Sequence, residues 1–99
     1  MSVLTASGGV PRVLRIAEDG TGREAVFPFT CLWLMVRTAN CAIRMYFKEA
    51  DYTADANYVE IPIGNTYWQG PAEVDRIWIK RDGAVGTANV EIIAFQRRG

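Results

Sequence analysis

The chain has no histidine, only two cysteines and only two serines among its 99 residues. Without histidine it lacks the commonest general base and the usual nitrogen ligand of zinc. Ser2 and Ser7 both fall in the first ten residues, where no base accompanies them, so no activated nucleophile is expected. Two cysteines alone fall short of the four-ligand set of structural zinc. Charge of either sign in excess is also missing: eleven Lys and Arg balance eleven Asp and Glu. The basic stripe of a nucleic-acid binder is therefore absent. No apolar window approaches ~18 residues, and the opening MSVLTASGGVPR lacks a basic segment followed by an apolar one. The reading is accordingly no enzyme, no cofactor, no metal, no nucleic-acid partner, no membrane span and no secretory signal.

What is present is the composition of an ordinary globular fold, 49% hydrophobic and 22% charged. Its length fits one domain, divided here into an N-terminal arm over 1–10, with Ser7, Gly8 and Gly9, and a single domain over 11–99. A chain this short buries only roughly 60 to 65% of its unfolded surface, so association is a ready source of stability. The charges are unevenly spread. Residues 1–48 carry a net +3, residues 49–75 carry six acids and no base, and residues 76–99 carry a net +3. Such segments either pair within the chain or spread over a solvated surface, or else they join copies head to tail. In the last case Glu49, Asp51, Asp55 and Glu60 of one copy would meet Arg97 and Arg98 of another.

Short runs rich in Val, Ile, Phe, Tyr and Trp, punctuated by Gly, Pro, Asn and Asp, predict an all-β sandwich or barrel of about seven or eight antiparallel strands. The strands are expected near 12–17, 25–29, 32–38, 42–47, 58–63, 75–80 and 89–96. The segment EADYTADAN (49–57) could form one helical turn but has no apolar stripe and reads as a loop. A two-residue turn at Ala39-Asn40 would pair Val36 with Ile43, Leu34 with Met45 and Leu32 with Phe47 on one face. That register leaves Trp33 and Met35 on the other face, to be covered by the chain or by a partner. It also separates Cys31 from Cys41 too far for a disulfide, leaving two free thiols that suit a reducing cytosol. Asp82-Gly83 reads as a second hairpin turn. The core is expected to hold Leu32, Leu34, Val36, Ile43, Met45, Phe47, Ile77, Ile79 and Ile92.

Alternation over 75–80 puts Ile77 and Ile79 on one face and Arg76, Trp78 and Lys80 on the other, so an exposed face would carry Trp78 between two cations. Over 89–96 both faces are largely apolar, which predicts a strand covered on both sides. Trp33, Trp68 and Trp78 can be buried structural aromatics, parts of an intersubunit contact, or a sugar-stacking platform. As an interface, the residues singled out are Trp78, Arg76, Lys80, Asp51, Asp55, Arg97 and Arg98. As a carbohydrate-binding module, Trp68 and Trp78 would stack on a glycan with Tyr52 or Tyr67. A hydrolase built on Glu49 and Asp51 has nothing to position a nucleophile or exclude water. The acidic spacing also does not match a calcium loop.

Three stretches, CAIRMYFKEADYTADANYVEIP, YWQGPAEVDRIWIK and the closing VEIIAFQRRG, resemble the small all-β virion proteins of tailed bacteriophages, particularly capsid decoration or head cement proteins. The resemblance implies a jelly-roll-like sandwich made in the host bacterial cytoplasm and carried on the capsid surface. There it would bind the major capsid protein and other copies of itself, often as a trimer, and stabilise the shell through intersubunit contacts. Similar sandwiches serve in tails, fibres and connectors.

Overall fold

A computed structural model describes residues 2–5, 12–64, 66–82 and 86–96. Among these are nine strands and one short helix: β1 (Ser2–Thr5), β2 (Arg12–Glu18), β3 (Arg23–Val26), β4 (Cys31–Ala39), β5 (Ile43–Tyr46), α1 (Glu49–Ala54), β6 (Val59–Ile61), β7 (Trp68–Pro71), β8 (Arg76–Arg81) and β9 (Ala88–Gln96). Seven of the strands lie where β-branched and aromatic residues alternate. Ser2–Thr5, within the arm assigned from sequence, runs parallel to β3; residues 1 and 6–10 of that arm, like Arg97 and Arg98, lie outside the described residues. Residues 49–54 form a helix, with Glu49 and Asp51 in its first turn, where carboxylates favour the helix dipole. It ends as Asp55 turns left-handed at φ 53°.

The strands form a five-stranded sheet, β1-β3-β8-β5-β6, and a four-stranded sheet, β2-β9-β4-β7. The pairing has one plan. β5 pairs with β6, β4 with β7, β3 with β8 and β2 with β9, each antiparallel. The chain is thus a long antiparallel ribbon doubled back at β5–β6 and rolled up, closed by the β4–β9 and β5–β8 pairs. That is a jelly-roll sandwich.

Rolling the ribbon corrects both expected hairpins. β4 has β7 and β9 on its two edges, and β5 has β6 and β8, so the turn at Ala39-Asn40 carries the chain from one sheet to the other. Asn40, at φ 78°, takes the left-handed conformation that this change of direction needs. Leu34, Val36, Ile43 and Met45 do share one apolar core, but across the sandwich instead of within a sheet. The link after β8 likewise changes sheets, because β8 pairs with β3 and β5 while β9 pairs with β2 and β4.

Ile16, Leu34, Val36, Ile43, Met45, Ile61, Ile77, Ile79, Val90 and Ile92 are buried between the sheets. Each contributes about 1.5–3 kcal/mol of hydrophobic stabilisation. Phe47 packs on the edge of this core, tilted against Trp68 at 6.0 Å. Leu32 is a correction: it is 50% exposed, because the β4–β9 register shifts between Cys31 and Trp33. The bulge lets Cys31 take the core position and turns both Leu32 and Trp33 outward. Neither cysteine is in a disulfide; Cys31 is buried and Cys41 half-buried.

Candidate interaction interface

Most residues singled out from sequence as an interface sit on the outer face of the five-stranded sheet, where several of them are taken up by contacts within the chain, although the buried Trp78 Nε1 has no hydrogen-bond partner. Trp78 is 6% exposed, which corrects the expectation of an open indole between cations. It is flanked in register by Glu24 of β3 and Tyr46 of β5. Tyr52 of α1 meets Tyr46 edge-on at 5.4 Å, and its hydroxyl reaches the Gly22 backbone before β3. Because β8 lies between β5 and β3, the Tyr52 side chain must cross β8, and this bridge covers Trp78's side of the sheet.

Most charged residues of this face are paired within the chain. Arg44 binds Asp55 at 2.7 Å and Asp82 at 3.3 Å, with its guanidinium 4.6 Å from the Tyr58 ring centroid. The Tyr46 hydroxyl donates to Asp55. Those two hydrogen bonds, first from Tyr46 and then from Arg44, hold the Asp55 carboxyl below its ordinary range, while burial and then Asp55 push the Tyr46 phenol upward. Arg76 binds Glu24 at 3.1 Å and Asp75 at 3.2 Å. Asp51 accepts from Asn57 at 3.1 Å, and Lys80 is exposed.

The four-stranded sheet presents a different outer face. The side chains that alternate with its core residues fall into rows across the strands. One row is Trp33, Phe95 and Pro71; the next is Val13, Ile93, Met35 and Gln69; the third is Arg15, Glu91 and Arg37; the last is Ala17, Asn89 and Ala39. Val13 is 55% exposed and Trp33 38%, with Leu32 beside them on the bulge. α1 lies against β5 and β8, so the one helix among the described residues covers the opposite sheet. The expected double covering of β9 is therefore corrected: Val90, Ile92 and Ala94 are buried, but Ile93 and Phe95 are only half-buried. By strand spacing and rise, the apolar patch measures on the order of 400 Å². That is the usual size of the largest apolar patch on a monomer, and such patches are often functional.

The charged row bounds the patch. Glu91 is bound by Arg15 at 3.2 Å and Arg37 at 3.6 Å, and accepts from the Tyr67 hydroxyl. The Arg37 guanidinium stands 5.6 Å from the Tyr67 ring centroid. Behind this row the small residues Ala17, Asn89 and Ala39 leave an open groove of about 460 Å³. At the other end, a hollow of about 290 Å³ lies between Leu32, Pro71, Ala72 and Glu73.

The aromatics named for sugar stacking do not form an open row. Trp78 is buried, Trp68 is half-buried against Phe47, Tyr52 is folded over the sheet, and Tyr67 is held by Glu91 and Arg37. Among the described residues, no three potential ligands converge as a metal site. Sequence reasoning overlooked Glu18, a fully buried carboxylate that accepts from the backbone N–H groups of Gly20, Gly22 and Arg81. The signal was EDGTG: two glycines following a glutamate bring backbone donors to one point. The sequence matches no protein-family model and no curated protein.

Proposed function

We propose that this chain is a non-enzymatic virion structural protein of a tailed bacteriophage, a capsid decoration or cement subunit that reinforces the assembled shell by surface contact. The observation that carries the reading is the uncovered apolar face of the four-stranded sheet, bounded by the Arg15–Glu91–Arg37 row. The outer face of an antiparallel sheet is ordinarily solvated and polar, so Val13, Leu32, Trp33, Met35, Ile93 and Phe95 there call for a partner. About 400 Å² is half the ~800 Å² per partner of a standard interface, so a single contact through it is weak. Weak contacts repeated over a lattice accumulate through avidity, the regime in which a decoration subunit works. The sequence resemblance to phage decoration proteins and the jelly-roll topology, a fold also used by capsid domains, support the same reading by analogy.

The test compares purified particles with and without the protein. Complete particles should survive heating and osmotic shock under conditions that rupture those lacking it. Equal survival of the two would refute the reinforcing role.

A further inference from the structure

The rows of the four-stranded sheet carry more than apolarity: they are self-complementary. β9 and β4 are adjacent antiparallel strands at the centre of the face, and their outward residues pair as Phe95 with Trp33, Ile93 with Met35 and Glu91 with Arg37. Consider a twofold axis lying in the interface, parallel to the strands and midway between β9 and β4. Rotation about it lays β9 of one copy over β4 of the other and keeps every row opposite itself. Phe95 then faces Trp33 of the second copy, Ile93 faces Met35, and Glu91 faces Arg37. Aromatic meets aromatic, aliphatic meets aliphatic and acid meets base, each contact occurring twice. At the rim, Arg15 on β2 falls opposite the Tyr67 end of β7. An axis running across the strands through the Ile93–Met35 row instead places Phe95 over Glu91 and Trp33 over Arg37, so it mixes the rows. An across-strand axis set between the two apolar rows would pair Phe95 with Ile93 and Trp33 with Met35, but it takes Glu91 and Arg37 out of register with each other. Only the axis along the strands adds the Glu91–Arg37 contact, and the charge pattern favours it for that reason.

We infer that the outer face of the four-stranded sheet pairs with the same face of a second copy, about the axis along the strands. The inference rests on the reading of this face as the docking surface and names its occupant, a neighbouring copy, so that the face joins decoration subunits to one another instead of to the capsid protein. Such a contact is isologous, with two sheets stacked ~10 Å apart and their strands aligned to within ~30°. In it Glu91, already held by Arg15 and Arg37 of its own chain, gains Arg37 of the second copy. Two Glu91–Arg37 pairs then close the charged edge of an apolar interior. With on the order of 400 Å² per copy, pairing is weak and concentration-dependent, with a dissociation constant in the micromolar-to-millimolar range.

The test is sedimentation velocity over a concentration series up to about 1 mM, on the wild type and on Met35→Glu and Ile93→Lys. Each variant alone should weaken pairing at least about 30-fold, because it buries two unpaired charges. Mixed one to one, they should pair again to within about tenfold of the wild type. Rotation brings the introduced carboxylate onto the introduced ammonium and leaves the other Ile93–Met35 contact intact. Circular dichroism and melting curves establish that the variants remain folded; should one unfold, Trp33→Ser, on a 38% exposed residue, carries the same expectation of weakened pairing. A wild type that stays monomeric throughout, variants that pair like the wild type, or a mixture that does not recover would each overturn the inference. Binding to capsids of the encoding virus separates its failure from that of the decoration reading. A monomer that coats particles overturns the pairing alone, whereas a twofold dimer that coats none overturns the decoration role and leaves the pairing standing.

Discussion

Replacing Glu18 by alanine should remove a large part of this domain's stability, although nothing in the proposed interface is touched. Glu18 ends β2 with its side chain wholly buried. One carboxylate oxygen accepts from the Gly20 N–H and, at 3.3 Å, from the Arg81 N–H; the other accepts from the Gly22 N–H at 3.0 Å. The group thus stands in for solvent around three backbone donors and ties the 18–22 turn, which leads into one sheet, to the end of β8. Alanine orphans all three, at ~1–3 kcal/mol for each buried unsatisfied donor, less what entering water recovers. The net loss should be about 3–5 kcal/mol, against roughly 5–15 kcal/mol for the whole domain. For a chain of this size the melting temperature should fall by roughly 15–30 °C. Glutamine keeps one acceptor oxygen but turns an amide N–H₂ toward donors, so it should lose about 1.5–3 kcal/mol. Urea titration followed by tryptophan fluorescence and circular dichroism measures both variants. An alanine variant within about 1 kcal/mol of the wild type would refute the bridging role.

Other consequences concern the turn, the thiols and alkaline pH. Gly22→Ala should destabilise by about 2–4 kcal/mol, since Gly22 lies at φ 84° and a Cβ there would overlap the Tyr52 hydroxyl oxygen. Urea titration measures this, and Tyr52→Phe in the same chain should recover part of the loss. Native protein should give a thiol reagent Cys41 first. Cys31, buried and with its thiol pushed up to about 11 by burial and then by Asp75, should react only on unfolding, as mass mapping of the adducts would register. Stability should decline as pH rises from 9 toward 11, because Cys31 holds its proton more tightly folded than unfolded. Its contribution is fully present below the unfolded pKa and lost as pH rises through the folded one; Tyr46, also raised, extends the decline upward from its ordinary value of 10.0. Urea midpoints measured across this range would contradict that sign if they stayed level.

The strands were legible because alternation and β-branched content act locally. What alternation states is which side chains share a face, not which strand lies alongside. Leu34, Val36, Ile43 and Met45 were correctly grouped, yet the same pattern is satisfied by a hairpin and by two sheets facing each other. Only the occupied edges of β4 and β5 decide between them. β7 escaped because WQGP contains two strand breakers, tolerated where β7 lies at the edge of its sheet. α1 showed no stripe because it buries no residue fully. Its main hold is Tyr52, and no local rule reveals that Tyr52 reaches across β8. For that reason the burial of Trp78 could not be read from residues 75–80. On β9, by contrast, the apolar outward residues Ile93 and Phe95 were visible in sequence, and with Trp33 and Met35 they build the face on which the functional reading rests. The bulge at Cys31–Trp33, which adds Leu32 to that face, follows from a register shift that has no sequence marker of its own.

The most direct measurement is protection of bare capsids against heat by added protein, wild type against Met35→Glu, with both shown to be folded. If the outer face of the four-stranded sheet is the surface that reinforces the shell, wild type raises the rupture temperature and Met35→Glu leaves it at the bare-particle value. Equal protection by the two proteins, or none by the wild type, would contradict the account.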